Sequence, residues 1–279
     1  MAVWSIRRSS RGRLLPELPE VETYRARLER RLVGRRFSCV RVHDPRLTMP
    51  LEPFEVEAEL TGERVVAVQR RGKYLVIRFE SGLALVVHLR MTGGFPEAPA
   101  THERATVGLD DGTGVSYRDV RRFGTWQVLA PPELNDYLAA RLGPEPLGAR
   151  FTTRFLAERL ARRRAPLKAV VLDQRVVAGI GNIYADEALW HARLHPLRPA
   201  LELNETEVAS LRRGVRRALR RGIERQGANL GDGAYPQGSM QDEFRAYGRA
   251  GEPCRRCRAL IEKTRVAGRG THYCPVCQR

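Results

Sequence analysis

Pro16-Glu-Leu-Pro-Glu-Val-Glu22 is where this chain changes character. Beyond it, Val21, Tyr24, Leu28 and Leu32 recur at helical spacing and Gly34 follows as a stop, so a helix is predicted from about Glu20 to Leu32. A proline in the first turn of a helix costs nothing, because the N–H it lacks would have no partner there; that accounts for Pro19 but not for the whole run. Upstream, residues 1–15 (MAVWSIRRSSRGRLL) are rich in Arg and Ser, hold no acid and show neither helical nor strand period. They read as an extension outside the fold.

Downstream come β-rich runs at Arg64–Gln69, Tyr74–Phe79, Leu83–Leu89, Ala105–Leu109, Val115–Asp119 and Trp126–Leu129. Turn signals at Arg71-Gly72, Ser81-Gly82 and Asp110-Asp-Gly112 separate them. Short strands behind one helix predict a β-sandwich or flattened barrel. Pro131-Pro132 and Leu142-Gly-Pro-Glu-Pro146 mark a linker, after which the pattern is helical from Phe151 to about Gln226 with breaks at Arg164–Pro166 and Gly179–Gly181. The expected organisation is α+β and multidomain: an extension at 1–15, a β-sandwich domain at 16–130, a linker at 131–150, a helical domain at 151–247 and a cysteine module at 248–279.

The 279 residues carry 49 Lys+Arg against 32 Asp+Glu, a formal charge of +17, which points to a polyanionic partner, nucleic acid first. Arginine-rich coding is the bland source of that excess, and it makes the three lysines, Lys73, Lys168 and Lys263, conspicuous: a lysine moves a proton where an arginine does not. No stretch approaches the roughly 20 apolar residues of a membrane span. The best run, Leu83–Met91, is short and includes His88 and Arg90.

Cys254-x-x-Cys257 and Cys274-x-x-Cys277, with 16 residues between the pairs, offer four thiolates to one tetrahedral Zn²⁺. Four protein ligands leave no open position, so the zinc is structural rather than catalytic. His272 is a rival ligand, but an exposed or DNA-facing position suits it better, and Cys39 reads as a small buried hydrophobe. Between the pairs, Arg265-Val-Ala-Gly-Arg-Gly-Thr271 is a basic hairpin whose glycines permit close approach to a phosphate. Such a module serves DNA, RNA or protein. Gly179-Ile-Gly-Asn-Ile-Tyr184 opens a helix whose first N–H groups would suit a phosphate, unless it is an ordinary helix–helix turn.

The opening run resembles the N-terminal signature of formamidopyrimidine-DNA glycosylases, and further motifs follow in that family's order: Arg70-Arg-Gly-Lys-Tyr74, His88-Leu-Arg-Met-Thr-Gly93, Asp119-Val-Arg-Arg-Phe-Gly124, Leu142-Gly-Pro-Glu-Pro-Leu147, Gly179–Glu187, Tyr247-Gly-Arg249 and the cysteine module. The resemblance implies an N-terminal β-sandwich with helices, a helix–two-turn–helix domain and a zinc finger, with duplex DNA containing oxidised bases between them. It implies excision of oxidised purines and strand cleavage by β,δ-elimination, in a monomeric, cytoplasmic, nucleoid-associated bacterial protein; organelle targeting by residues 1–15 is the alternative location. Pro16 matches the nucleophile, Glu17 its acid/base partner, Lys73 the lysine assisting β-elimination, and Arg269 the arginine gripping phosphate and assisting δ-elimination. His88, His102, Arg121, Arg164 and Asn182 match DNA-binding positions, Arg164 standing where the family often has lysine. Met91, Arg121 and Phe123 would fill the gap left by an extruded base, although on residue type alone Met91 and Phe123 read as core. The loop that caps the flipped base, Gly231–Gly238 here, is short and Gly-rich, which leaves base preference open.

The chemistry agrees with these assignments. A terminal amine has a pKa near 8, and a secondary amine attacking a sugar C1′ yields an iminium directly. Yet fifteen residues precede Pro16, and an internal proline nitrogen is an amide. The active chain is therefore expected to begin at Pro16, by initiation at Leu15 or by removal of the extension; a lyase-dead DNA-damage-binding relative is the alternative. An endonuclease VIII-like preference for oxidised pyrimidines is opposed by Leu18 and by the Met91, Arg121 and Phe123 set.

Overall fold

A computed structural model describes residues 15–98, 100–229 and 238–279; the extension up to residue 14 and nearly all of the Gly231–Gly238 loop lie outside the described residues. Helix α1 (Leu18–Leu32) starts two residues before the periodicity suggests, because the Glu20 side chain reaches back to accept the Glu17 N–H at 2.9 Å. Strands follow as β1 (Phe37–Val42), then helix α2 (Pro53–Leu60), then β2 (Val65–Arg71), β3 (Tyr74–Phe79), β4 (Ala84–His88), β5 (Gly93–Gly94), β6 (Glu103–Leu109), β7 (Gly114–Asp119) and β8 (Thr125–Leu129). They pair antiparallel into two four-stranded sheets, β1-β6-β7-β5 and β2-β3-β4-β8. Phe37, Leu75, Ile77, Tyr117 and Trp126 fill the core together with Val21, Tyr24, Leu28 and Leu32 of α1. This is the expected sandwich, with β1 and α2 added. Cys39 is exposed rather than buried: a bulge between Phe37 and Cys39 breaks the alternation of β1 and turns the thiol outward.

The segment read as a linker contains helix α3 (Pro131–Arg141). Pro131-Pro132 looked like a break, but prolines at the first helical positions start a helix. Leu134, Leu138 and Leu142 pack on Tyr74, Val76, Ala84 and Val86, the outer face of the β2-β3-β4-β8 sheet. That sheet is covered on both faces, which explains why Tyr74–Ile77 and Ala84–Val87 are unbroken apolar runs rather than alternating ones.

The helical part comprises α4 (Thr153–Leu160), α5 (Leu167–Val171), α6 (Asn182–Ala192) and α7 (Glu205–Glu224). Helices α6 and α7 pack closely at Gly214, where a Cβ would stand 2.4 Å from the Ala188 carbonyl oxygen. Leu18 belongs to this helical core while Val21 and Tyr24 belong to the sandwich, so α1 joins the two. The end module is a hairpin, β9 (Glu262–Val266) and β10 (Arg269–Tyr273), closed by Ala267 and Gly268, both at positive φ. No described helix is long and apolar enough to cross a membrane.

Because α3 is part of the core rather than a tether, Leu134→Ala should lower unfolding free energy by about 2–4 kcal/mol, measured by urea titration; an unchanged midpoint would contradict this packing.

Candidate active site and nucleic-acid interface

The site is built where α1 meets the turn before α6. Gly179, at φ +84°, offers its carbonyl to the Leu18 N–H at 2.9 Å, and a Cβ there would collide with Leu18 at 2.7 Å. The buried Glu17 carboxylate then accepts the N–H groups of Gly181 at 2.6 Å, Ile183 at 2.8 Å and Tyr184 at 3.3 Å. These are the N–H groups that the sequence suggested for a phosphate. Here a side-chain carboxylate takes them, for the same reason that an anion would.

Lys73 lies in the turn between β2 and β3. Its Nζ and the Glu17 carboxylate flank Gly181 so closely that a Cβ on that glycine would sit 2.7 Å from one and 2.5 Å from the other. Burial raises the Glu17 pKa, against the opposing pull of Lys73 and the three N–H groups. Burial lowers Lys73, Glu17 opposes this, and Arg269 lowers it further. Both shifts favour the neutral forms, which leaves the carboxyl able to donate a proton and the amine able to accept one. The turn is held from behind by Glu145 of the Leu142–Pro146 motif, which accepts the Gly72 N–H at 2.6 Å and pairs with Arg70 at 2.9 Å.

Glu20 escaped notice in the sequence because it looks like one more helical acid. It is buried and raised to about 7, by burial first and then by the Glu17 charge. It accepts the Glu17 N–H, the Tyr184 hydroxyl at 2.9 Å and the Ala228 N–H at 2.8 Å. One carboxylate thus ties α1, α6 and the stem of the loop after α7 together.

The remaining expected residues fall in separate places. Gly93 pairs with Asp119 across β5 and β7, which brings the Met91 turn beside the Arg121–Phe123 turn. Asp119 caps the latter, accepting the N–H groups of Arg121 at 3.2 Å and Gly124 at 2.7 Å. Phe123 is 50% exposed with the Arg121 guanidinium 4.8 Å over its ring, so it is not packed beneath the turn, whereas Met91 is half-buried. His88 ends β4 edge-on to Tyr74; burial, then Arg90 and Lys73, lower it to about 3, and the ring is neutral. His102 is exposed at φ +65°, and Arg164 is exposed between α4 and α5. Asn182 opens α6 and donates to the Gly270 carbonyl at 3.0 Å, next to exposed Arg269.

Two further residues hold that hairpin in place. Lys168, fully buried, pairs with Asp186 at 2.6 Å and donates to the Gly270 carbonyl at 3.0 Å and the Thr271 hydroxyl at 2.8 Å. Asp186 also accepts the His272 N–H at 2.9 Å. His272 is thus buried against α6 rather than exposed or DNA-facing, its backbone N–H and its ring both facing that carboxylate. Among the described residues, the Sγ atoms of Cys254, Cys257, Cys274 and Cys277 lie within 4.8 Å of one another. A tetrahedral ion with bonds of ~2.3 Å fits such a set. Trp190 Nε1–H and the N–H groups of Arg256 and Cys277 each point at a sulfur at 3.4 Å, as thiolates require. The donor set fits one structural zinc.

A sandwich, a helical domain and a zinc module converging on a buried acid and a neighbouring lysine define a DNA-processing protein. Three family models cover the chain: formamidopyrimidine-DNA glycosylase N-terminal domain at residues 15–126, its H2TH domain at 142–232, and a zinc finger found in FPG and IleRS at 251–279. A formamidopyrimidine-DNA glycosylase of Herpetosiphon aurantiacus is 46% identical across 95% of this chain and 100% of its own length. A Lactococcus lactis FPG mutant in complex with Fapy-dG containing DNA superimposes with a TM-score of 0.89 at 39% identity, covering 95% and 100% of the two chains. The wild-type Lactococcus lactis protein with an oxidised pyrimidine containing DNA gives 0.87 at 38% identity, covering 95% and 100%. The chain belongs to the formamidopyrimidine-DNA glycosylase family.

Two outcomes follow from the geometry. Gly181→Ala must displace Glu17 or Lys73, and a shift of ~1 Å at reacting groups costs on the order of 10²-fold; single-turnover cleavage of a lesion duplex by the chain beginning at Pro16 should fall by that much with zinc content unchanged, and full activity would refute the arrangement. Glu20 holds in the folded state a proton that the unfolded chain releases above 4.5, so its contribution favours folding at pH 5 and is lost as pH rises through about 7. The melting temperature of the native protein should therefore fall more between pH 5 and pH 8 than that of Glu20→Gln; parallel curves would show that Glu20 does not titrate there.

Proposed function

We propose that this protein is a DNA glycosylase/AP lyase that excises oxidised purines from duplex DNA, with Pro16 as nucleophile once its nitrogen is a free secondary amine. The observation that carries the reading is the Glu17–Lys73 pair held around Gly181 immediately after Pro16. The Pro16 nitrogen would form a bond to C1′ as the bond from C1′ to the base breaks, the amine proton leaving with the departing base; Glu17, raised by burial, would supply the proton that the sugar ring oxygen takes as the nitrogen lone pair opens the ring to the iminium. The iminium acidifies C2′, and loss of that proton expels the 3′ phosphate. Lys73, lowered by burial, would accept the C2′ proton, and the phosphate leaves with the 3′ strand. Arg269 would hold phosphate and assist the second elimination, while His88, His102, Arg164 and Asn182 contact the DNA and Met91, Arg121 and Phe123 occupy the space of the extruded base. His88, being neutral, would act by hydrogen bonding and not by charge.

One chain supplies every member of this set, which supports a monomer. A bacterial, cytoplasmic, nucleoid-associated setting suits a DNA repair enzyme. The family N-terminal model begins at residue 15, which supports a functional start at Pro16.

Two forms test the nucleophile: Met followed by Pro16–Arg279, and the full chain with its N-terminus verified intact by mass spectrometry. Borohydride should trap the first on 8-oxoguanine duplex and not the second; equal trapping would shift the role to a lysine, Lys73 first. In the short form Lys73→Ala should reduce cleavage ~10²–10⁴-fold, and Arg269→Ala should chiefly weaken binding and δ-elimination. An oxidised-pyrimidine duplex run in parallel reads base preference; faster excision there than from the oxidised-purine duplex would overturn it.

A further inference from the structure

Helix α7 carries arginines in pairs, Arg212-Arg213, Arg216-Arg217 and Arg220-Arg221, one helical turn apart. Its apolar face, with Val208, Leu211, Val215 and Leu219, is buried in the helical core, so the pairs fall on the other side. With Arg193 and Arg245 they wall a cleft of about 960 Å³ in which eight arginines meet three glutamates. The cleft sits at the C-terminal end of α6, beside His191 and Arg193. Asn182 and the catalytic pair are at the opposite end, roughly 16 Å along that helix.

Part of this charge is structural. Arg212 donates to the Phe151 carbonyl at 2.6 Å, Arg216 to the carbonyls of Pro146, Leu147 and Gly148 at 2.9–3.0 Å, and Arg221 is paired with Glu224 and Glu243. The three glutamates are all engaged: Glu224 by Arg221, Glu243 by Arg221 and Arg225, and Glu187 by the backbone N–H groups of Arg245, Ala246 and Tyr247. Arg193, Arg213, Arg217 and Arg220 are exposed, and among the described residues no carboxylate pairs with them. Arginine scattered by composition alone is interspersed with acids, as on α1, where Arg25 bridges Glu22 and Glu29. Here that interspersion is missing. The local field is correspondingly positive: after burial, Arg217, Arg245 and Arg256 depress His191 to about 4.

We propose that this cleft is a second DNA-binding surface, which takes the phosphate backbone of an undamaged duplex segment while a lesion-bearing segment occupies the catalytic cleft. A guanidinium fork matches phosphate oxygens. Arg213 and Arg217 are ~6 Å apart along the helix, close to two nucleotide rises of ~3.4 Å. An acidic protein partner fits less well. Ala192, Gly214 and Met240 are buried and His191 is half-buried, so among the described residues the cleft lining presents no fully exposed aliphatic or aromatic anchor of the kind such interfaces rely on. Two DNA surfaces on one molecule permit direct transfer between segments during search.

The test uses zinc-loaded protein saturated with an unlabelled duplex containing an abasic-site analogue. A fluorescent undamaged duplex is then titrated in by anisotropy at 50–200 mM salt. The second duplex should bind, and the triple variant Arg213→Glu/Arg217→Glu/Arg220→Glu should bind it at least tenfold more weakly, with a salt slope smaller by about 2–3, given ~0.9 per phosphate contact. Single-turnover excision from a short lesion duplex, measured in the form that begins at Pro16, should stay within twofold. The triple Arg→Gln version reads the same loss should the charge reversal fail to fold. No second-duplex binding by the saturated native protein, or binding indifferent to both variants, would overturn the proposal. Preferential binding of poly-glutamate over duplex would overturn it in favour of an acidic protein partner.

Discussion

The structure turns on one carboxylate. Glu17 closes the N-terminus of α6 with three N–H contacts, and because it is also the residue before α1, it pins the first helix of the sandwich to the first helix after the Gly179–Gly181 turn. A helix N-terminus attracts an anion in any case. Placing that anion on the residue after Pro16 converts a capping interaction into a constraint on where the start of α1 can go. Leu18 then has to enter the helical core and Val21 the sandwich core. Gly179 and Gly181 have to be glycine, one for its φ of +84° and the other for the space that Glu17 and Lys73 occupy.

The same constraint creates the electrostatics. A buried carboxylate with three N–H donors would be strongly acidic in the absence of desolvation; burial reverses the sign and raises it. Lys73 reaches the site on the short β2–β3 turn, which Glu145 and Arg70 hold from outside, and burial lowers it. Glu20 forms the next layer, taking the Glu17 N–H and the Ala228 N–H on one carboxylate, so the segment that follows α7 is coupled to Glu17 through two hydrogen bonds.

What could be read in advance was whatever is local or repetitive. Helical spacing in Val21–Leu32, the β-rich runs and the two CxxC pairs are short-range patterns, and the fold returned them with boundaries shifted by a residue or two. The helix at Pro131–Arg141 was missed because a proline pair carries opposite meanings inside a helix and at its start. Cys39 was misplaced because a bulge cannot be seen in an alternation pattern. Lys168 was conspicuous only by rarity; its partners are 18 residues away at Asp186 and some hundred away at Gly270 and Thr271, and no spacing rule joins them. Glu20 was invisible for a similar reason, since only the tertiary fold buries it.

The Lys168–Asp186 pair shows why distant partners matter to the site. An apolar pair of similar size would fill the same volume and often gives an equally stable core. It would leave the Gly270 carbonyl with one donor fewer and the His272 N–H with no acceptor, and both belong to the strand that begins with Arg269. Unpaired buried polar groups cost more than their hydrogen bonds contribute, so the hairpin would slide or tilt to find others. With the ion pair in place, Lys168 and Asn182 converge on one carbonyl and Asp186 on the next strand position but one, which sets the hairpin's register against α6. That register brings the Arg269 charge near enough to Lys73 to lower it further. The zinc makes the module rigid, but it is this buried pair that aims the module at the site.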